Sequence, residues 1–131
     1  ITKTVAIVRE IIHVPLVETE VLKNAYKIIF GEVAFGTDAL MKNALESFLK
    51  TGKRRLILDL RDNPGGTMAE TRRHSNYCID TGKHCHTMTD WSQYEIVILI
   101  NGDSASASEI IAASLREYFP RNVVIIGETS Y

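Results

Sequence analysis

Ser106 opens the stretch of this chain with the most chemical potential. In Ser106-Ala107-Ser108-Glu109 a hydroxyl stands three residues before a carboxylate, where an apolar run hands over to a helical repeat. Upstream, Glu95-Ile96-Val97-Ile98-Leu99-Ile100 has the length and β-branched character expected of a strand buried on both faces. Downstream, Ile110, Ile111, Ala113, Ser114, Leu115 and Tyr118 recur at helical spacing. The first turn of a helix leaves backbone N–H groups unpaired and carries the positive end of the peptide dipole, so an alkoxide or tetrahedral oxyanion is favoured there. Ala105 and Ala107 are small enough for a substrate backbone to approach. The same four residues also fit S-x-x-E, a capping box in which Ser106 closes the helix and does no chemistry. Cap serines far outnumber nucleophiles, so spacing alone favours the cap.

A second loop shifts that balance. Arg55-Leu56-Ile57-Leu58-Asp59-Leu60 reads as another buried strand and runs into Arg61-Asp62-Asn63-Pro64-Gly65-Gly66. The amides of a Pro-Gly-Gly turn can face a ligand closely because no side chain intervenes. A third strand, predicted from Asn122 to Ile126, breaks off in the turn Gly127-Glu128-Thr129-Ser130-Tyr131. In order, LILDLRDNPGG (56–66), ILINGDSASASEIIAASL (98–115) and VIIGETSY (124–131) resemble the motifs of the C-terminal-processing, or tail-specific, serine peptidases. A looser likeness reaches the start, where Val8-Arg9-Glu10 through Val14-Pro15 is similar to the segment following that family's PDZ domain.

The resemblance implies a set of roles. Ser106 is the nucleophile of a serine–lysine dyad, and the amides of Ala107 and of Gly65 or Gly66 form the oxyanion hole. Asp59, Arg61 and Glu109 are supporting residues. The first two either help arrange the site or form an ion pair that holds the loop; Glu109 either orients the site or caps the helix. The family's general-base lysine follows a G-E-x-[ST]-[FY] turn, which places it past Tyr131. Without that base an alcohol is a poor nucleophile, so the segment is expected to be inert by itself. The implied reaction is acyl transfer near the tail of a protein or peptide substrate with an unstructured C-terminus. A PDZ domain is expected upstream, with no metal and no organic cofactor. A periplasmic, extracytoplasmic or thylakoid-lumen setting is implied, and the oligomeric state is left open. Two other readings use the same crevice: a non-catalytic crotonase-like binding module that has lost the dyad, and an enzyme acting on an acyl thioester, against which the serine-bearing motif argues.

These loops need a scaffold. Tyr26 to Phe30 reads as a short strand, followed by a turn from Gly31 to Gly36. Asp38 to Lys50 is the clearest helix: Leu40, Met41, Ala44, Leu45, Phe48 and Leu49 form one stripe, with Thr37 or Asp38 as cap and Gly52 as stop. Helix, strand, turn and strand in alternation predict an α/β fold, a crotonase-like core of βαβ units with a mostly parallel sheet, here an incomplete part of a catalytic domain. Functional loops then lie at the C-terminal ends of strands, where both the glycine turn and Ser106 fall. Residues 1–25 read as a linking or edge segment, with strand-like alternation from Thr2 to Arg9 and from Ile11 to Val14 and an end to pairing at Pro15. Residues 26–131 form the αβ core. Thr67 to Ile79 is expected to be helical, although Arg72 and His74 stand where the family has apolar residues.

Composition narrows the function classes. A content of 45% hydrophobic residues over 131 positions supports one domain with a core. Fifteen basic against sixteen acidic residues leave no electrostatic footprint for nucleic acid or an anionic membrane. No apolar run approaches the ~20 residues that span a bilayer. Cys78 and Cys85 either stay as core thiols or bridge in an oxidising compartment. A zinc site from these cysteines with His84 and His86 is disfavoured, because the histidines alternate with Cys85 along a predicted strand. Asp103 reads as a solvated loop charge, and none of the four histidines lies in a motif.

Overall fold

The computed structural model describes residues 14–68 and 90–131. Five strands form one sheet in the order β1 (Val17–Val21), β2 (Tyr26–Phe30), β3 (Arg55–Asp59), β4 (Glu95–Ile100) and β5 (Val123–Gly127). Among the described residues only the β1–β2 pair is antiparallel; β2 through β5 run parallel, as the predicted βαβ alternation requires. Helix α1 (Thr37–Lys50) connects β2 to β3, and α2 (Ala107–Tyr118) connects β4 to β5.

Period-2 alternation sorts each strand into two faces. Tyr26, Ile28 and Phe30 join Leu56, Leu58, Ile96, Ile98 and Val123 on the face covered by the helices. Met41, Ala44, Leu45 and Phe48 of α1 and Ile111, Ala112 and Leu115 of α2 complete that core. Phe48 is its aromatic centre, with ring centroids 5.9 Å from Tyr26, 6.3 Å from Trp91 and 5.2 Å from Tyr94. The opposite face carries Ile57, Val97 and Leu99, which are half-buried, and Val124 and Ile126, which are exposed. Burial on both faces of β4 is therefore corrected to deep burial on one face, with partial cover on the other among the described residues.

Other differences are local. β1 forms two residues after Pro15, where pairing was expected to end; proline costs little on an edge strand, and β1 is almost wholly exposed. Helix α1 is capped by Gly36 rather than by Thr37 or Asp38, and the Thr37 hydroxyl bonds back to the Ala34 carbonyl at 2.6 Å. Its inward stripe omits Leu40, which is exposed. In α2, Ala107, Ser108, Ile111, Ala112 and Leu115 face inward, whereas Ile110, Ala113 and Tyr118 do not. The strand predicted from Thr2 to Arg9 falls outside the described residues, as do the one from Ile11 to Val14 except for Val14, the helix predicted from Thr67 to Ile79, His74 and Cys78 included, except for Thr67 and Met68, and His84, Cys85 and His86.

Candidate functional site

Ser106 sits at the junction of β4 and α2, exposed, in a backbone conformation that L-residues seldom adopt: φ 55°, ψ −112°. Those angles match the first central position of a type II′ turn, a position dominated by glycine, asparagine and aspartate. The turn is closed by the Ser108 N–H donating to the Ala105 carbonyl at 3.2 Å. Holding serine there costs about 1–3 kcal/mol, so surrounding contacts must fix it. One is the carboxylate of Glu109, whose Oε2 accepts the Ser106 N–H at 2.8 Å within a capping-box arrangement. Its other oxygen accepts the Ser130 hydroxyl at 2.7 Å. The Tyr131 N–H donates to the Ser104 carbonyl at 3.2 Å, so the stretch after β5 is laid against the serine loop.

The glycine turn lies directly against this loop. Gly65 has φ 95°, and a Cβ built on it would lie 2.6 Å from the Ala105 carbonyl oxygen, 2.7 Å from the Ala107 nitrogen and 2.8 Å from Ser106 Cβ. Only a residue without a side chain permits this approach. At Gly66 a built Cβ would stand 1.7 Å from the Val33 carbonyl oxygen, where the turn makes a parallel bridge to Val33.

Further bonds tie the two loops together. Asn101 Nδ2 donates to Asp62 Oδ1 at 2.7 Å, and the Asp62 N–H returns a bond to Asn101 Oδ1 at 2.9 Å. Ser104, fully buried, donates its hydroxyl to the Leu60 carbonyl at 2.8 Å. The Asn63 carbonyl accepts the Ala105 N–H at 3.0 Å and the Ser108 hydroxyl at 2.8 Å.

The structure thus brings Gly65, Ser106 and Ala107 into contact, with Gly66 next in the turn. Of these four residues, Ala107 and Gly66 have amides with no hydrogen-bond acceptor among the described residues. The Gly65 N–H is taken by Asn63 Oδ1 at 2.8 Å, which narrows the choice between the two glycines. Asp59 and Arg61 stand apart: among the described residues their side chains pair with each other, and Asp59 also with Lys27, rather than with the serine loop. Arg61 grips the Asp59 carboxylate with bonds of 2.8 and 2.7 Å, while Lys27 Nζ lies 3.0 Å away. Burial pushes the Asp59 carboxyl up, but the bonds from Arg61 and Lys27 outweigh it and hold the pKa at about 2. Asp103 is exposed and spends its amide on Asn101 Oδ1 at 3.3 Å.

Lys27, Asn63 and Ser130 were not singled out by sequence. Lys27 meets Asp59 only through the β2–β3 register, which no local pattern encodes. Asn63 did carry a signal, an amide side chain just before Pro-Gly-Gly, where it can bond its own backbone two residues on.

Comparison with known proteins bears on the family and the fold. Residues 29–131 match the model of peptidase family S41. The chain is 30% identical over 137 residues to a Staphylococcus epidermidis protein described as a "Probable CtpA-like serine protease", covering 92% of this chain and 28% of the relative. A Staphylococcus aureus protein with the same description is 32% identical over 132 residues, covering 88% of this chain and 27% of the relative. The chain therefore spans little more than a quarter of the length of these curated relatives. Among solved structures, the photosystem II D1 C-terminal processing protease superposes with a TM-score of 0.72 at 20% identity, over 91% of this chain and 38% of that one. A lipoprotein from Streptococcus agalactiae gives a TM-score of 0.65 at 16% identity, over 89% and 50%.

Proposed function

The chain belongs to peptidase family S41, and from that premise we propose that it is the nucleophile-bearing part of a serine endopeptidase that cleaves proteins near their C-terminal tails. Ser106 attacks the scissile carbonyl, and the tetrahedral oxyanion is held by the amide of Ala107 together with one from the glycine turn. Both donors are backbone groups already fixed by the fold, so they need little reorganisation as charge develops. The proton of Ser106 goes to a lysine that follows Tyr131 in the full-length protein, kept neutral by burial. Collapse of the intermediate expels the new amino terminus and leaves an acyl-enzyme, which water hydrolyses. A PDZ domain preceding the segment binds the substrate tail.

One observation carries this reading: the contact of Gly65 with Ser106 and Ala107 at a serine held in a glycine-like conformation. A cap alone does not require that conformation, since ordinary cap residues sit in the β region. The test is Ser106→Ala in the full-length protein, assayed on an unstructured protein with an apolar C-terminus. Hydrolysis is expected to disappear while the circular dichroism spectrum stays that of the parent. Unchanged turnover would remove Ser106 from the mechanism.

A further inference from the structure

Asn63 is completely buried, and each of its polar groups is used. Its Nδ2 donates to the Phe30 carbonyl at the end of β2, at 2.6 Å. Its Oδ1 accepts from Gly65 N–H at 2.8 Å, and its own N–H donates to the Leu60 carbonyl at 3.3 Å. Its carbonyl accepts from Ala105 N–H at 3.0 Å and from the Ser108 hydroxyl at 2.8 Å. One residue therefore joins the end of β2, the end of β3, the glycine turn, the serine loop and the first turn of α2. Buried polar groups satisfied this fully specify one arrangement, and each bond lost leaves a partner unsatisfied in a dry site.

We propose that Asn63 is a positioning residue for the oxyanion-binding amides: by occupying the Gly65 N–H it leaves Gly66 as the donor of the glycine turn, and through its carbonyl it sets the distance from that turn to Ala107. The inference rests on the peptidase reading above and deepens it. Loss of the Asn63 side chain frees the Gly65 amide and removes the strut to Phe30, so the turn can rotate. A misplacement of about 1 Å at such a site costs on the order of 100-fold in rate. Since both amides act on charge that develops in the transition state, the loss falls on kcat with KM little changed.

Asn63→Asp gives the sharpest test, in the full-length protein. Ionised, the new carboxylate still accepts from Gly65 but faces the Phe30 carbonyl with no proton to give. Protonated, it offers O–H to Phe30 and C=O to Gly65, the bonding pattern of asparagine. Burial raises the pKa of such a carboxyl. Expected is a kcat deficit on the order of 100-fold at neutral pH, which shrinks relative to the parent at the same pH as the pH is lowered. A core variant of comparable thermal destabilisation, Phe48→Leu, is expected to keep the parent's kcat per folded molecule and show no such recovery. Amide hydrogen exchange supplies a readout independent of turnover: Gly65 N–H protected and Gly66 N–H fast in the parent, both fast in Asn63→Leu. The proposal is overturned by parent-like kcat per folded molecule in Asn63→Leu, which can make neither bond at any pH, by an Asn63→Asp deficit that does not change with pH, or by equal exchange of the two glycine amides in the parent. If the parent hydrolyses substrate and Ser106→Ala does not, any of these outcomes removes the positioning role alone. If the parent itself is inert, the peptidase reading falls and takes this role with it.

Discussion

Helices α1 and α2 both begin at a residue with positive φ, and the two residues differ in kind. At α1 it is Gly36, φ 83°, with nothing within 4 Å of where a Cβ would point. At α2 it is Ser106, φ 55°, with Gly65 drawn up against its Cβ. Glycine enters this region freely, whereas serine is held there at a cost. A helix can start from positive φ without a side chain there, as α1 does at Gly36, where ψ is −3° against −112° at Ser106. The strain at Ser106 therefore accompanies the display of a hydroxyl, and the absence of a side chain has been moved to the facing residue, Gly65.

That contrast can be broken in several ways. The largest effect is expected from Ser106→Ala, which keeps the Cβ and the contact with Gly65 but should lower turnover of the full-length protein by ~10⁴-fold or more. A residual rate near the parent's would mean the strain serves some other purpose. Next, Gly65→Ala forces a methyl group into backbone atoms at 2.6 and 2.7 Å; about 3 kcal/mol of stability should be lost in urea unfolding. Tolerance within a few tenths of a kcal/mol would show that the loops do not meet as described. Ser106→Gly should move stability the other way, gaining about 1 kcal/mol by relieving the backbone while abolishing turnover. Smallest is Gly36→Ala, expected to cost about 1 kcal/mol through φ alone, with kcat unaltered. If the two helix starts responded alike to losing or gaining a Cβ, the comparison would fail.

Much of the scaffold was legible because it is written locally. The apolar runs at 55–60 and 95–100, the stripe from Met41 to Phe48 and the stop at Gly52 all follow from neighbour spacing. Ser106 and the glycine turn were legible as a pair only because parallel strands present their C-terminal loops on one edge. What stayed hidden depends on register or on backbone angles. The Lys27–Asp59 pair is set across two strands, and the phase of α2, which turns Ala112 inward in place of Ala113, is set by packing. The split duty of Asn63, side chain to one loop and carbonyl to the other, requires coordinates. Positive φ at Ser106 has no sequence signature, since Ser-x-x-Glu is also an ordinary cap.

The two oxygens of Glu109 belong to one rigid plane, yet one is bonded to the Ser106 amide and the other to the Ser130 hydroxyl. Neither end of that link can be displaced far without breaking a bond or dragging the other. A displacement of the stretch around Ser130 is thus transmitted to the strained turn by this carboxylate as well as by the backbone bond from Tyr131 to Ser104, which makes Glu109 a mechanical lever between that stretch and the hydroxyl.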